Sequence, residues 1–450
     1  MQSSMKTKNC TRREFLAQTG RVVTAGALAG LSLPPVHAAE DNTIRLALVG
    51  CGGRGAGAAA NALSSTTGPT QLVAMADVFE DRLARAYKSL SESFAAQVDV
   101  PPDRRFVGFD AYRKAIDCLR PGDVMIQATH SAFRPTHVAY AIEKGVHVFM
   151  EKSFASDAGN TKTILRLGEE ANRKNLKIGC GLMCRHSTAR QAMIQKIRDG
   201  ALGEIIAIRA YRMDSGARLA PFPGGQSELL FQLRRPYFFH WVSAGWFMEM
   251  MIHQVDECCW IKNAWPVSAQ GLGGRDPLGD DCSENLHTYA IEFTFPDGTK
   301  AFVNSRNQPK CHNEFATWIH GTKCAGQFSG NVHAPTVHLY RDQRCVPDNI
   351  VWRAEKEAQS PYQAEWDALL SAIRNDRPHN EVERAAYANL AGLMGRAAVH
   401  MGRIVTWEEM LASNFQFCPN VNFTMDSPPP VKANAEGRYS PPVPGRWTEI

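Results

Sequence analysis

The apolar positions change rhythm along the chain. From residue 43 to about 183, short β-rich runs alternate with helical patterns. The runs are "TIRLALVG" (43–50), "TQLVAMAD" (70–77), "GDVMIQATH" (122–130), "HVFMEKS" (147–153) and "KIGCGLM" (177–183). Helical spacing occupies 79–97, "RPTHVAYAIEKG" with its glycine stop, and "NTKTILRLGEEANRKN" (160–175). Strands that alternate with helices predict an α/β domain built on a doubly wound parallel sheet. After about 185 the strands lengthen: 204–214, 286–295, 301–308, 315–321 and 335–341. Several alternate and are separated by turns such as "PDGT", which predicts an α+β domain. Its large, mostly antiparallel sheet carries helices on one face, at 188–199, 243–262 and 361–402. From "VNFTMDSPPP" onward the chain is Pro-rich and unpatterned, which predicts an extended tail lying on the surface or on a partner.

The first forty residues follow other rules. Arg12 and Arg13 precede Phe15 and Leu16; the apolar stretch "VVTAGALAGLSL" follows, then "PPVHA". This order predicts a twin-arginine export signal cleaved after Ala38, and hence the twin-arginine machinery as a partner and a periplasmic or otherwise exported location. The expected division is 1–38 signal, 39–184 cofactor domain, 185–418 substrate and oligomerisation domain, and 419–450 tail. Residues 1–38 hold five Lys/Arg and one Glu, so the net charge of +5 falls to +1 on cleavage. The basic character resides in the signal, and nothing calls for nucleic acid or a membrane surface. No pair of the twelve cysteines shows zinc spacing, and most read as small core residues.

The first run ends in Gly50-Cys51-Gly52-Gly53-Arg54-Gly55, a GxGxxG that opens an Ala-rich helix, and Asp77 ends the second run 27 residues later. Gly50 permits a tight turn, Gly52 lets backbone approach a pyrophosphate, and Gly55 lets helix and strand pack. The pyrophosphate sits on the helix N-terminus, with Gly53 and Arg54 in the same turn. Asp77 accepts from a ribose diol and repels a 2′-phosphate, which favours NAD over NADP. The pattern predicts a Rossmann dinucleotide domain.

Ligands of doubly wound sheets lie outside the carboxyl ends of strands. Those ends carry Thr129-His130 and Glu151-Lys152, and His137 is grouped with them as a cofactor residue. Further on, "WFMEMMIHQVD" (246–256) places Glu249, His253 and Asp256 at i, i+4 and i+7, on one face of a helix. Glu, His and Asp on one face are also plausible metal ligands, or a buried structural network; no second His pair supports the metal, so none is expected.

The GxGxxG after a first strand, "ATH…RPTHVAYAIEKGVHVFMEKS" and "EMMIHQVD" resemble the glucose–fructose oxidoreductase / inositol dehydrogenase / MocA-like (Gfo/Idh/MocA) family. The twin-arginine start, "GLMCRHS", "GALGEI", "GLGGRD" and "TMDSPPP" resemble its exported bacterial branch. The likeness covers nearly all of 43–430. It implies that Lys152 lies between nicotinamide and substrate. In that family the strand end is usually Glu-Lys-Pro, and the helix motif is Asp, His, Asp; here Ser153 follows Lys152 and Glu249 takes the first Asp position. His253 is the expected acid/base, since histidine titrates near neutral pH. Lys152 stabilises developing alkoxide, Glu249 orients or polarises, and Asp256 orients. Arg185, His186, Tyr211 and Arg212, at or past strand ends, are expected to grip sugar hydroxyls or a carboxylate. The resemblance also implies a homo-oligomer.

These readings lead to an exported NAD-dependent oxidoreductase acting on a hydroxyl of a sugar, sugar acid or cyclitol. Free NAD is scarce outside the cytoplasm, so a tightly bound cofactor recycled in place is expected. Two alternatives stay open: an NAD-dependent glycosidase resembling glycoside hydrolase family 109, and a non-catalytic sugar-binding protein.

Overall fold

The computed structural model describes residues 42–330 and 336–450. The expected export signal lies outside the described residues. The first sheet contains β1 (Ile44–Val49), β2 (Thr70–Asp77), β3 (Arg105–Val107), β4 (Val124–Gln127), β5 (His147–Met150) and β6 (Ile178–Cys180). Its order is β3-β2-β1-β4-β5-β6, with every pair parallel. The order reverses between β1 and β4, where such sheets open a crevice. Helices α1 (Gly53–Leu63), α2 (Glu80–Ser93), α3 (Ala111–Ile116), α4 (Arg134–Glu143) and α5 (Ala158–Arg173) cover the faces. Alternation sorts β1 between two cores: Ile44, Leu46 and Leu48 meet α1 and α2, while Ala47 and Val49 face the other way. A strand covered on both sides reads as a near-continuous apolar run, as "IRLALV" does.

The second sheet follows α6 (Thr188–Arg198). Its strands are β7 (Ile205–Asp214), β8 (Ser268–Gly274), β9 (Thr288–Thr294), β10 (Lys300–Asn307), β11 (Glu314–Gly321), β12 (Ala325–Ser329), β13 (His338–Tyr340), β14 (Ile350–Arg353) and β15 (Val405–Thr406). The order is β14-β13-β12-β11-β7-β10-β9-β8-β15, and only β7 and β10 pair in parallel. Between β7 and β8 come α7 (Glu228–Arg234), α8 (His240–Ser243) and α9 (Gly245–Lys262). After β14 come α10 (Pro361–Arg374), α11 (Val382–Met401) and, past β15, α12 (Trp407–Ala412). Helices α9 and α11 pack on one face of this sheet; Ile206, Leu272 and Phe302 stand exposed on the other. The fold is the α/β plus α+β arrangement expected from the sequence.

Three expectations change. The helix expected at 361–402 is two, because Asp376 turns to φ +46° and Pro378 interrupts the run. The first of these, α10, covers the N-terminal sheet. Trp366, Leu369, Leu370 and Ile373 share a core with Ile44, Leu46 and Leu72, and Trp366 stacks on Phe149 at 4.3 Å. The cofactor domain therefore takes residues from far beyond 184. The tail is also more than a surface wrapping. Phe423 packs against Phe133 and Trp241, and Glu449 is buried against Arg396 (2.9 Å) and His400 (3.0 Å). The eleven described cysteines are all free, eight of them buried.

The start of α9 is held from several sides. Ala244 and Gly245 are both left-handed (φ +68° and +78°), and a Cβ on Gly245 would lie 2.6 Å from the His240 ring. Asn285 Oδ1 accepts from the Trp246 N–H (3.1 Å), and Arg396 donates to the Ala244 carbonyl (2.9 Å).

Candidate active site

The glycine turn fits a pyrophosphate. Gly50 has φ +99°, and a Cβ there would meet the Ala128 carbonyl carbon at 2.6 Å. A Cβ on Gly55 would come within 1.9 Å of the Gly50 oxygen, so only glycine lets α1 close on the turn. Gly52 and Gly53 face open space, with nothing within 4 Å of an added Cβ. Together the four positions leave a backbone cradle at a helix N-terminus. Asp77 accepts from the N–H groups of Cys51 (2.6 Å) and Phe79 (2.8 Å), which ties the end of β2 to the cradle. Burial raises its pKa, against the lowering effect of these hydrogen bonds. A small cavity of about 90 Å³ beside it is walled by Phe79, Phe109, Phe133, Thr129, His130 and His137 among others. Burial pushes both histidines down to about 3, so both are neutral near pH 7. His130 bonds the Leu233 carbonyl (2.9 Å) and His137 stacks on Tyr112 (4.0 Å).

A cavity of about 850 Å³ runs from Gly52, Gly53 and Arg54 to Lys152, Glu249 and His253. Lys152 follows β5, and its Nζ donates to Glu249 Oε2 and to the Glu249 carbonyl, each at 2.7 Å. His253 is one turn further along α9, on the same wall. Behind Lys152, Arg54 pairs with buried Glu151 at 2.7 Å. Tyr237 closes another side; the nearby Glu249 charge, ahead of burial, raises its phenol pKa. No group of three or more His, Cys, Asp or Glu among the described residues is arranged to hold a metal ion.

No protein-family model matches the chain, and no curated protein matches it by sequence. Solved structures do. A scyllo-inositol dehydrogenase from Lactobacillus casei, with bound NAD(H) and scyllo-inositol, aligns with TM-score 0.60 and 22% identity, over 82% of this chain and 100% of that one. An aldose–aldose oxidoreductase from Caulobacter crescentus, complexed with glycerol, gives 0.61 and 16% over 81% and 99%. A UDP-N-acetylglucosamine 3-dehydrogenase from Acidithiobacillus ferrooxidans gives 0.56 and 20% over 79% and 98%. This is the Gfo/Idh/MocA fold. At such identities the likeness extends to architecture alone.

Two departures from the Gfo/Idh/MocA sequence pattern have a structural account here. Ser153, in place of the usual Pro, is fully buried and donates from Oγ to the Met248 carbonyl (3.0 Å), so it ties the strand end to α9. The Lys152–Ser153 bond is cis. Glu249, in place of Asp, has the reach to meet Lys152 directly.

Asp256 and three of the residues expected to grip substrate, Arg185, His186 and Tyr211, do not line the large cavity. Arg185 forks onto Asp256 (2.7 and 2.9 Å) and lies over the Trp260 ring. His186 bonds Glu381 (3.0 Å), and the Tyr211 hydroxyl accepts from Arg209 (3.2 Å). The reason for Tyr211 is strand parity. On β7, Ile208, Ala210 and Arg212 face α9, and Tyr211 faces the other way. Arg212 does line the cavity. Arg134 also lines the cavity, and the sequence reading passed it over. Its buried guanidinium donates to the carbonyls of Thr129 (2.7 Å), Lys152 (3.1 Å) and Ser153 and to Gln127 Oε1 (3.0 Å), binding the ends of β4 and β5 together. Burial lowers it to about 10, so it stays charged at neutral pH. The signal for it was an arginine at a helix start just past a strand end. Glu257 was passed over too: fully buried, it pairs with Arg190 (2.7 Å) and accepts from Thr317 and Ser329.

Proposed function

We propose that this chain is an NAD-dependent oxidoreductase acting on a hydroxyl of a sugar, sugar acid or cyclitol. The observation that carries the reading is Lys152, 2.7 Å from Glu249, in one cavity with His253 and the open backbone of Gly52 and Gly53. Bound NAD would supply the hydride acceptor. Gly52, Gly53 and the α1 N-terminus hold its pyrophosphate, and Asp77 takes the ribose diol and disfavours a 2′-phosphate. Lys152 binds the reacting hydroxyl oxygen and stabilises its developing negative charge. His253 takes the hydroxyl proton. Glu249 and Arg134 hold Lys152 and its backbone in place. The activities named for the neighbouring structures, on inositol, aldose and nucleotide-sugar substrates, support the same reaction class.

The twin-arginine pattern at Arg12 and Arg13 supports export of the folded protein with its cofactor aboard and recycled in place. The exposed Leu272 and Phe302 on the open face of the second sheet support a homo-oligomer. The test is a mass spectrum and absorbance scan of the purified full chain, then addition of single sugars and cyclitols while reduced nicotinamide is followed. Retained NAD(H), reduced by at least one of them and far more slowly in Lys152→Ala, is expected. Absence of any NAD(H) binding, or undiminished turnover in Lys152→Ala, overturns the reading.

A further inference from the structure

Most cations around the large cavity already have partners. Lys152 is matched by Glu249, Arg54 by Glu151, and Arg134 by main-chain carbonyls. Arg212 is different. Its side chain is 10% exposed, and its guanidinium carbon lies over the Phe315 ring, 3.7 Å from the centroid. One terminal nitrogen reaches Met250 Sδ at 3.5 Å, and sulfur is a weak acceptor. The nearest carboxylate, on Asp214, also stands 3.5 Å away, longer than the ~2.7–2.9 Å of a charge-assisted bond. Its Nε is buried with no hydrogen-bond partner. A buried cation without a full set of acceptors is unfavourable in the ligand-free protein, and this one faces the cavity. Met250, which it touches, follows Glu249 on α9 and lines the same cavity.

We propose that Arg212 is the anion-recognition residue of the substrate site, and that the substrate is a sugar acid whose carboxylate it binds. This rests on the oxidoreductase reading above and narrows its substrate class. A guanidinium presents two parallel donors that match the two oxygens of a carboxylate. The guanidinium already rests on Phe315, which limits the freedom lost when the carboxylate docks. The single charge of a carboxylate also suits a guanidinium whose own counterion, Asp214, is held only at 3.5 Å. A phosphate dianion would leave one negative charge over, beside Glu249. A neutral sugar can satisfy Nε with a hydroxyl but leaves the charge matched only by Asp214 at 3.5 Å.

The test uses the full chain loaded with NAD(H) and three matched probes: a neutral hexose, the corresponding hexuronate and the hexose 6-phosphate. Binding is read by calorimetry and turnover by cofactor reduction. The hexuronate should bind and turn over roughly 10–100-fold better than the neutral hexose, the range of a hydrogen bond to a charged group. Arg212→Met should collapse that ratio towards unity, mainly through KM. Arg212→Lys, which keeps the charge and loses the fork, should restore part of it. Equal preference for acid and neutral sugar in the unmutated protein overturns the proposal, as does tighter binding of the phosphate ester. Equal losses for both sugars in Arg212→Met overturn it as well, and reduce Arg212 to a structural role. If Arg212→Met does not fold, the unmutated panel and Arg212→Lys decide. Arg212-dependent binding of the acid with no cofactor reduction upholds the anion site and overturns the redox reading. Cofactor reduction with no acid preference does the reverse.

Discussion

Helix α9 carries three carboxylate–cation pairs at 2.7 Å; besides Glu257–Arg190, two of them stand in different settings near the strand ends of the first sheet. Glu249 meets Lys152 at 2.7 Å and Asp256 meets Arg185 at 2.7 Å. Each pair joins α9 to the chain just past a strand end of the first sheet. The Lys152–Glu249 pair lines the large cavity, with 18% and 9% of the side chains exposed. Asp256 is 1% exposed, and neither it nor Arg185 reaches the cavity. A ligand hydroxyl in the cavity can therefore enter the first pair and exchange partners with it, while the second pair, although Arg185 keeps 15% exposure, is sealed off from the cavity. The sealed pair fixes the roll of α9, which in turn aims His253 and Glu249. Distance alone does not separate a working ion pair from a scaffolding one; access does.

The sharpest way to break this comparison is to remove groups on the cavity side. His253→Ala should lower turnover roughly 10²–10⁴-fold and abolish the limb of the pH–rate profile near neutrality. If that limb persists in His253→Ala and vanishes in Lys152→Ala, Lys152 is the base. Lys152→Ala should cost about 10²–10³ in turnover while the thermal midpoint stays close to that of the parent. The sealed pair should behave the other way round. Asp256→Ala leaves the Arg185 charge poorly matched, which is expected to lower stability by about 3–5 kcal/mol in denaturant unfolding; turnover per folded molecule should fall far less than in Lys152→Ala. Equal effects on both quantities in both variants would erase the distinction. Glu249→Asp shortens the arm that reaches Lys152, and a loss of less than about tenfold is expected if the carboxylate only orients, as steady-state kinetics would show.

A pH-dependent effect belongs to a sealed acid elsewhere. Glu284 accepts from the His240 N–H (2.9 Å), and burial raises it to about 7 from the usual 4.5. The folded state then holds a proton that the unfolded chain has released. Its contribution is full below about pH 4.5 and is lost as pH rises through about 7. Glu284→Gln should therefore raise the thermal midpoint relative to the parent at pH 8, by the equivalent of about 1–3 kcal/mol, and the gain should shrink towards zero near pH 4.5.

Much of the first domain was legible because its strands are covered on both faces and its turn glycines have single uses. The run "IRLALV", the open Gly52 and the closed Gly55 follow from local rules. The helix stripe was legible as a stripe, but not as two pairs with different access, because the partners Lys152 and Arg185 come from another part of the chain. Tyr211 and Arg212 are adjacent, and only the register of β7 against α9 decides which one faces the cavity. Strand β8 was hidden by its own composition, "SAQGLGG", whose glycines suppress the apolar alternation. The short β3, β12, β14 and β15 offer too few residues to show a period. The buried Glu449 could not be read from a Pro-rich tail, since its partners Arg396 and His400 lie on α11.

The crossing of α10 onto the first sheet bears on the order of synthesis. All six strands of that sheet have been synthesised once Cys180 is made, yet Phe149 has no Trp366 to stack on until residues 361–374 follow. Throughout the making of β7 to β14 the nascent cofactor domain keeps an apolar face open. A chain halted anywhere in that interval presents this face to chaperones, and its cofactor turn rests on an unfinished core. The core beneath the glycine turn is thus completed only when residues 361–374 have followed.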